Sequence, residues 1–234
     1  MDRATSKLVK ADADASLRRL GKVAGFKTRS KIQYAVRDGF LLVLNANYSD
    51  IATGKFERGD AQLFVRLQVK PVEADEALRR ICQMDDGLEP HSVDPILGLD
   101  VVRSLKVAER VFPVESLDAV PAVCQEVVDF AVAGFDGFLA EIGGTPEGFY
   151  RHVLTRDPTK IWGDELLFPI AYIQLGQYSA ALQYINDRGR VRLPEALNYR
   201  SKGRSFGDWL TQYCTDRING QPQAMPRGEP TLGA

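Results

Sequence analysis

The chain has 234 residues, of which 44% are hydrophobic and 26% charged, and its 30 basic side chains nearly balance its 31 acidic ones. These proportions are typical of a globular protein and exclude disordered, collagen-like and membrane-embedded chains. The length allows one domain or two small ones.

The first predicted element is a helix over residues 8–24. Apolar residues recur at helical spacing along it. They are Leu8, Ala11, Ala15, Leu17, Leu20 and Ala24. Gly25 follows at the position where a left-handed C-terminal cap is expected, so the helix is predicted to end there.

A small antiparallel sheet is predicted next. The runs 32–36 and 40–48 are rich in strand-forming residues, and Asp38-Gly39 between them is typical of a type I′ hairpin turn. Residues 63–69 follow strict alternation, with Leu63, Val65, Leu67 and Val69 on one side and Phe64, Arg66, Gln68 and Lys70 on the other. Residues 96–105 are a candidate for a fourth strand, which Gly98 weakens.

Helices are predicted for most of the remainder. Pro71 ends the third strand, and a helix over 73–83 follows it. After Pro113 the pattern is helical, with Ser116 as the N-cap of a helix that ends at Gly143-Gly144 and with Thr145 as the cap of the next helix. Further helices are predicted over 164–175, 178–187 and 206–218, and the proline-containing stretch 220–234 is predicted to be disordered.

These elements predict an α+β protein. An N-terminal helix and a small antiparallel sheet of three to four strands occupy residues 1–112, and an all-helical part packed on them occupies 113–219, the two together forming one compact unit. The segment 171–185, two short helices around Gly176, resembles one unit of a tetratricopeptide-like protein, but no second copy is found at a fixed period.

Cysteine usage and the N-terminus predict a cytoplasmic protein. Cys82, Cys124 and Cys214 are odd in number and match no metal-ligand spacing, so we expect buried, reduced thiols. The first residues are charged and lack the apolar core of a signal peptide, and no apolar run approaches the length of a membrane span.

No catalytic, metal or cofactor motif is found. The two histidines, His91 and His152, cannot form the paired spacings typical of zinc sites, so no metal site and no cofactor are predicted. Carboxylate pairs such as Asp85-Asp86 or Asp164-Glu165 are available for acid–base chemistry, but no pattern supplies a pocket around them.

Charge is unevenly distributed along the chain. Residues 1–37 hold ten Lys or Arg and three acidic residues, whereas residues 73–142 hold five basic and fifteen acidic ones, and residues 188–217 are basic again. The segments are either solvated surfaces that attract one another within the fold or two functional faces of opposite sign.

Several of these elements together resemble a known protein family. The helix end 17–27 with its Gly25-Phe26-Lys27, the strands 32–36, 40–48 and 63–69, and the helical stretch 166–185 together resemble a bacterial family of uncharacterised domains. Members of that family are discussed alongside immunity proteins of bacterial toxin systems. The resemblance therefore implies a non-enzymatic, protein-binding role, and it carries no catalytic residues to this chain.

The leading hypothesis is a non-enzymatic protein that binds a partner protein, such as a toxin, through a charged surface, which is the acidic one if the partner is basic. Its candidate residues are Glu115, Asp118, Glu126 and Asp129. The alternative is a nucleic-acid-binding module that uses a basic surface, with Tyr34 available for stacking. Its candidate residues are Arg18, Arg19, Lys22, Lys27, Arg29 and Lys31. A second alternative is an enzyme with carboxylate-based chemistry.

Overall fold

Seven helices and seven strands are found in the part of the chain that the computed structural model describes, which is residues 3–29, 32–49, 61–84, 102, 104–157, 166–191 and 200–220. In the N-terminal half these are α1 (Arg3–Val23), β1 (Lys27–Arg29), β2 (Ile32–Arg37), β3 (Phe40–Ser49), β4 (Ala61–Pro71), α2 (Val72–Ile81) and β5 (Leu105–Val114). In the C-terminal half they are α3 (Val120–Glu141), α4 (Pro146–Leu154), α5 (Leu167–Gln174), α6 (Tyr178–Val191), β6 (Arg200–Ser201), β7 (Arg204–Ser205) and α7 (Phe206–Ile218).

The main sheet is an antiparallel meander with the strand order β1-β2-β3-β4-β5. The hairpin between β2 and β3 has positive φ at Asp38 (53°) and Gly39 (79°), as a type I′ turn requires. Strands β3 and β4 pair over ten residues, from Phe40 opposite Pro71 to Ser49 opposite Gln62. The α2 helix lies between β4 and β5 in the chain, and the β4–β5 register shifts at Leu67/Gln68.

One face of this sheet is covered by α3, with α1 packed against that helix. The alternating residues Leu63, Val65, Leu67 and Val69 of β4 are buried in the core that they share with α1 and α3. Close approach is possible because α3 has a glycine at the contact: a Cβ on Gly134 would lie 2.7 Å from Leu67 Cδ1. The opposite face includes the exposed ion pair of Arg66 and Glu109, as expected for an antiparallel sheet with one wet side.

The C-terminal helices pack in sequence, α4 on α5, α5 on α6 and α6 on α7, and α2 contacts both α5 and α7. Two of these helices begin at residues whose side chains cap the helix N-terminus. Thr145 accepts a hydrogen bond from Gly148 N–H, and Ser205 forms a capping box with Asp208 at the start of α7. Buried apolar residues from both halves of the chain form one contiguous core.

The α+β prediction is confirmed, as are the hairpin, the Thr145 cap, the buried face of β4 and the bounds of the last helix. The described sheet has five strands, not three to four. Helix α3 begins at Val120 with Ala119 as its N-cap, so the prediction of Ser116 as the cap was wrong; Ser116 lies in the turn before it.

The apolar side predicted for α1 was partly wrong. Leu8 is 59% exposed, and the buried positions include Val9, Ala13 and Leu17. Several predictions fall outside the described residues, namely the Asp85-Asp86 and Asp164-Glu165 pairs, His91, most of the strand at 96–105 and the tail beyond residue 220. None of the described helices combines the length and the apolarity needed to cross a membrane.

Candidate interaction surface

The four predicted acidic residues, which we call the acidic surface, are all exposed. Glu115 and Asp118 lie in the connection between β5 and α3, and Glu126 and Asp129 lie on α3, three residues apart and therefore on one side of the helix. Six acidic residues and no Lys or Arg occur between positions 115 and 141. The charged side chains along this helix and its approach are therefore all acidic.

The carboxylates of α3 differ in their partners. Near its C-terminal end, Asp136 forms an ion pair with Arg37 of β2 at 2.5 Å, and Glu141 lies 3.3 Å from His152 of α4. Asp129 accepts a hydrogen bond from Gln125 at 2.8 Å. Among the described side chains, Glu115, Asp118 and Glu126 have no ion pair. The first half of α3 therefore presents charge that the described part of the fold does not neutralise.

The basic surface lies next to the acidic one in the fold. Arg18, Arg19 and Lys22 are exposed near the end of α1, and Lys27 and Arg29 are exposed on β1. Lys31 falls outside the described residues, and Tyr34 is half-buried on β2 opposite Lys27. Helix α1 packs on α3, yet none of the ion pairs between described side chains joins the two helices.

A groove between these helices was not foreseen from the sequence. One wall consists of Leu20 and Val23 of α1 and of Ala24 just after that helix, and the volume of the groove is about 380 Å³. Its α3 wall consists of Gln125, Val128, Asp129, Val132, Ala133 and Asp136. The walls are thus largely apolar, and both carboxylates come from α3, seven residues or about 10 Å apart along the helix, which is too far to share a proton.

A second cluster of charged groups lies under α2 and includes Lys70, which alternation along β4 places on the side opposite Leu63, Val65, Leu67 and Val69. The Lys70 side chain is only 1% exposed. Its ammonium group donates to Asp75 Oδ2 at 2.5 Å and to the Val102 carbonyl at 3.0 Å, while Asp75 Oδ1 accepts from Val102 N–H at 2.9 Å. This closed network ties the start of α2 to the chain that leads into β5.

Burial lowers the pKa of Lys70 from its ordinary value, and the neighbouring Asp75 only partly opposes that shift. Beside this cluster, the hydroxyl of the fully buried Tyr150 donates to Glu73 Oε1 at 3.2 Å, and burial together with that carboxylate raises the pKa of Tyr150. With Lys70 and Tyr150 both closed to solvent, these contacts join α2 to β4 and α4 and serve the fold.

The remaining candidates for chemistry are structural in character. Burial raises the pKa of the Cys82 and Cys124 thiols to about 12 and that of Cys214 to about 11, so none is an activated nucleophile. All three are free and buried, as predicted. Across the described ranges, no group of three or more His, Cys, Asp or Glu side chains is arranged to hold a metal ion.

Comparisons with protein-family models, with curated proteins and with solved structures find no match for this chain.

Proposed function

We propose that this chain is a non-enzymatic, protein-binding protein of the immunity type, whose acidic surface binds a basic protein such as a bacterial toxin. The observation that carries the proposal is the exposure of Glu115, Asp118, Glu126 and Asp129 along a stretch without a single Lys or Arg. Complementary charge of this kind steers association and suppresses wrong partners more than it adds affinity.

The proposal predicts that the association rate depends strongly on salt concentration. Exposed charges interact over a Debye length of about 10 Å at 0.1 M salt, and that range falls to about 3 Å at 1 M. Association with a basic partner should therefore slow steeply as salt rises, while dissociation changes less.

The test compares a variant in which the acidic surface is neutralised with a matched control. The test variant carries Glu115→Gln, Asp118→Asn, Glu126→Gln and Asp129→Asn. The control removes the same number of acidic groups elsewhere, with Glu76→Gln, Glu147→Gln, Asp187→Asn and Asp216→Asn. Each tagged protein is used to co-purify partners from nuclease-treated source cells, and the association rate with the recovered partner is then measured against salt.

The expected result is one stoichiometric protein partner that the wild type and the control retain and that the neutralised variant binds about tenfold more slowly at low salt. Equal association rates and equal salt dependence for all three proteins would remove the acidic surface from the function.

The nucleic-acid alternative is favoured by one observation, the continuity of exposed Arg18, Arg19 and Lys22 on α1 with Lys27 and Arg29 on β1. A labelled single-stranded oligonucleotide tests it, since phosphate contacts make affinity fall linearly with salt on a logarithmic scale. Binding that is lost in an Arg18→Gln/Arg19→Gln/Lys22→Gln variant would favour this function, whereas no binding at low salt would dismiss it.

A further inference from the structure

Val23, the last residue of α1, is 86% exposed although it borders the groove between α1 and α3. Half-buried Leu20 and Val132 continue the same apolar lining, and buried Val128 closes it from below. We propose that this α1–α3 groove binds an amphipathic helix of the protein partner, with its apolar side chains in the groove and its Lys or Arg side chains against α3. The inference rests on the proposed function and specifies the partner's chemistry.

The dimensions fit a short helix. The α3 wall runs from Gln125 to Asp136, which is about 17 Å or three helical turns at 1.5 Å per residue. A groove between two helices is a common receptor for a third, which inserts apolar residues at positions i, i+3 or i+4, and i+7. A volume of about 380 Å³ is suited to a few such side chains and is too small for a folded domain.

Charge selects a basic helix as the occupant. Asp129 and Asp136 lie on the α3 wall two turns apart, so a partner helix with Lys or Arg at positions i and i+7 would bring one cation to each carboxylate. The pair of Asp136 with Arg37 is exposed on both sides, and exposed pairs of this kind contribute little, so exchange with a partner's cation costs little. An acidic helix would be repelled by the same wall.

The test uses two labelled synthetic peptides with the same apolar helical face. One carries Lys at two positions seven residues apart, and the other carries Glu at those positions. Fluorescence anisotropy is used to measure the affinity of each for the full chain. We expect the Lys peptide to bind at least about tenfold more tightly than the Glu peptide at low salt.

Two variants locate the binding site. Val23→Gln should weaken the Lys peptide about tenfold, because it replaces an apolar contact at the lip of the groove with a polar side chain and leaves the charge unchanged, whereas Leu8→Gln is a matched control on the same helix outside the groove. Asp129→Lys should weaken the Lys peptide and strengthen the Glu peptide, a reversal that loss of folding cannot produce.

The inference is overturned if neither peptide binds at millimolar concentration, or if Val23→Gln and Leu8→Gln affect binding equally. The partner recovered with the wild type separates the two levels of the proposal. If Val23→Gln still binds that partner and the neutralised variant does not, the acidic surface stands and the groove falls; if both bind it normally, both proposals fall.

Discussion

Removing either charge of the Lys70–Asp75 pair should destabilise the chain, and removing Asp75 should cost more. In Asp75→Asn the Lys70 side chain, 1% exposed, keeps its position and loses its counter-charge. Losing a charged hydrogen bond costs about 1.5–3 kcal/mol, and a buried charge left unpaired raises the total to about 3–5 kcal/mol. Deprotonation sets the upper bound, since neutralising a Lys with an ordinary pKa near 10.4 at pH 7 takes about 5 kcal/mol.

Lys70→Met should cost less, about 2–3 kcal/mol. The remaining Asp75 carboxylate is 17% exposed and still accepts a hydrogen bond from Val102 N–H. Leaving this carboxylate without a counter-charge therefore costs less than leaving the buried ammonium group without one. The double variant should lose less than the sum of the two, because no unpaired charge remains. Lys106→Met is the control: that side chain is 55% exposed beside Glu109 and should change the free energy of unfolding by less than about 0.5 kcal/mol.

The pH dependence of Asp75→Asn provides a separate check. Burial already lowers the pKa of Lys70, and removal of the carboxylate lowers it further, so the folded state binds fewer protons than the unfolded state over a wider pH range. The free energy of unfolding of this variant then rises with pH between the lowered pKa of the folded state and the unfolded pKa of about 10.4, and the deficit against the wild type shrinks as the pH rises from 7 to 9.

Urea unfolding followed by tryptophan fluorescence at these two pH values measures the free energies of unfolding of the wild type and of each variant. A deficit that is the same at both pH values, or a larger cost for Lys70→Met than for Asp75→Asn, would refute the reasoning.

Three further predictions concern stability. The three buried thiols should resist iodoacetamide at pH 8 and react in urea, as counted by mass spectrometry. Because the pKa values of the folded thiols are raised, the free energy of unfolding should fall above about pH 9, where the thiols of the unfolded chain ionise. Labelling of the folded chain would contradict both statements. Tyr150→Phe should cost about 1 kcal/mol through the lost bond to Glu73, which water can still solvate, and a cost above about 3 kcal/mol would show a role beyond that bond. Ser205→Ala should cost about 1 kcal/mol by removing the acceptor for Asp208 N–H, while Ser205→Thr, which keeps the hydroxyl, should cost less; equal losses would argue against the capping box.

The parts of the fold that were predicted correctly depend on local rules. Alternation along β4 correctly placed Leu63, Val65, Leu67 and Val69 on the core face. The positive φ angles of Asp38 and Gly39 are those that a type I′ turn requires. Most of β5 was not predicted as a strand, and its pairing departs from simple alternation: Gln68 pairs with Lys106 and Leu67 with Ala108, so three residues of β5 face two of β4.

Three other features were not predicted because they depend on long-range packing. Alanines in α1 occur on more than one side, so helical spacing admits more than one buried face, and packing against α3 selects the side of Val9 and Ala13 over that of Leu8. Alternation places Lys70 on the face opposite Leu63 and Val69, and its burial depends on a distant segment, since its ammonium group donates a hydrogen bond to the carbonyl of Val102. The α1–α3 groove was missed for the same reason, since it exists only once two distant helices are packed.

The helix dipole stabilises one carboxylate of the acidic surface but not those further along α3. Asp118, just before α3, is favoured by the partial positive charge at a helix N-terminus, an effect worth about 0.3–1 kcal/mol that fades within the first turn. Glu126 and Asp129 lie beyond that turn, and their shared side of α3 has no described cation to stabilise them. Carboxylates along α3 that have no ion pair among the described side chains repel one another in the free protein, and binding of a basic helix along α3 would relieve that repulsion.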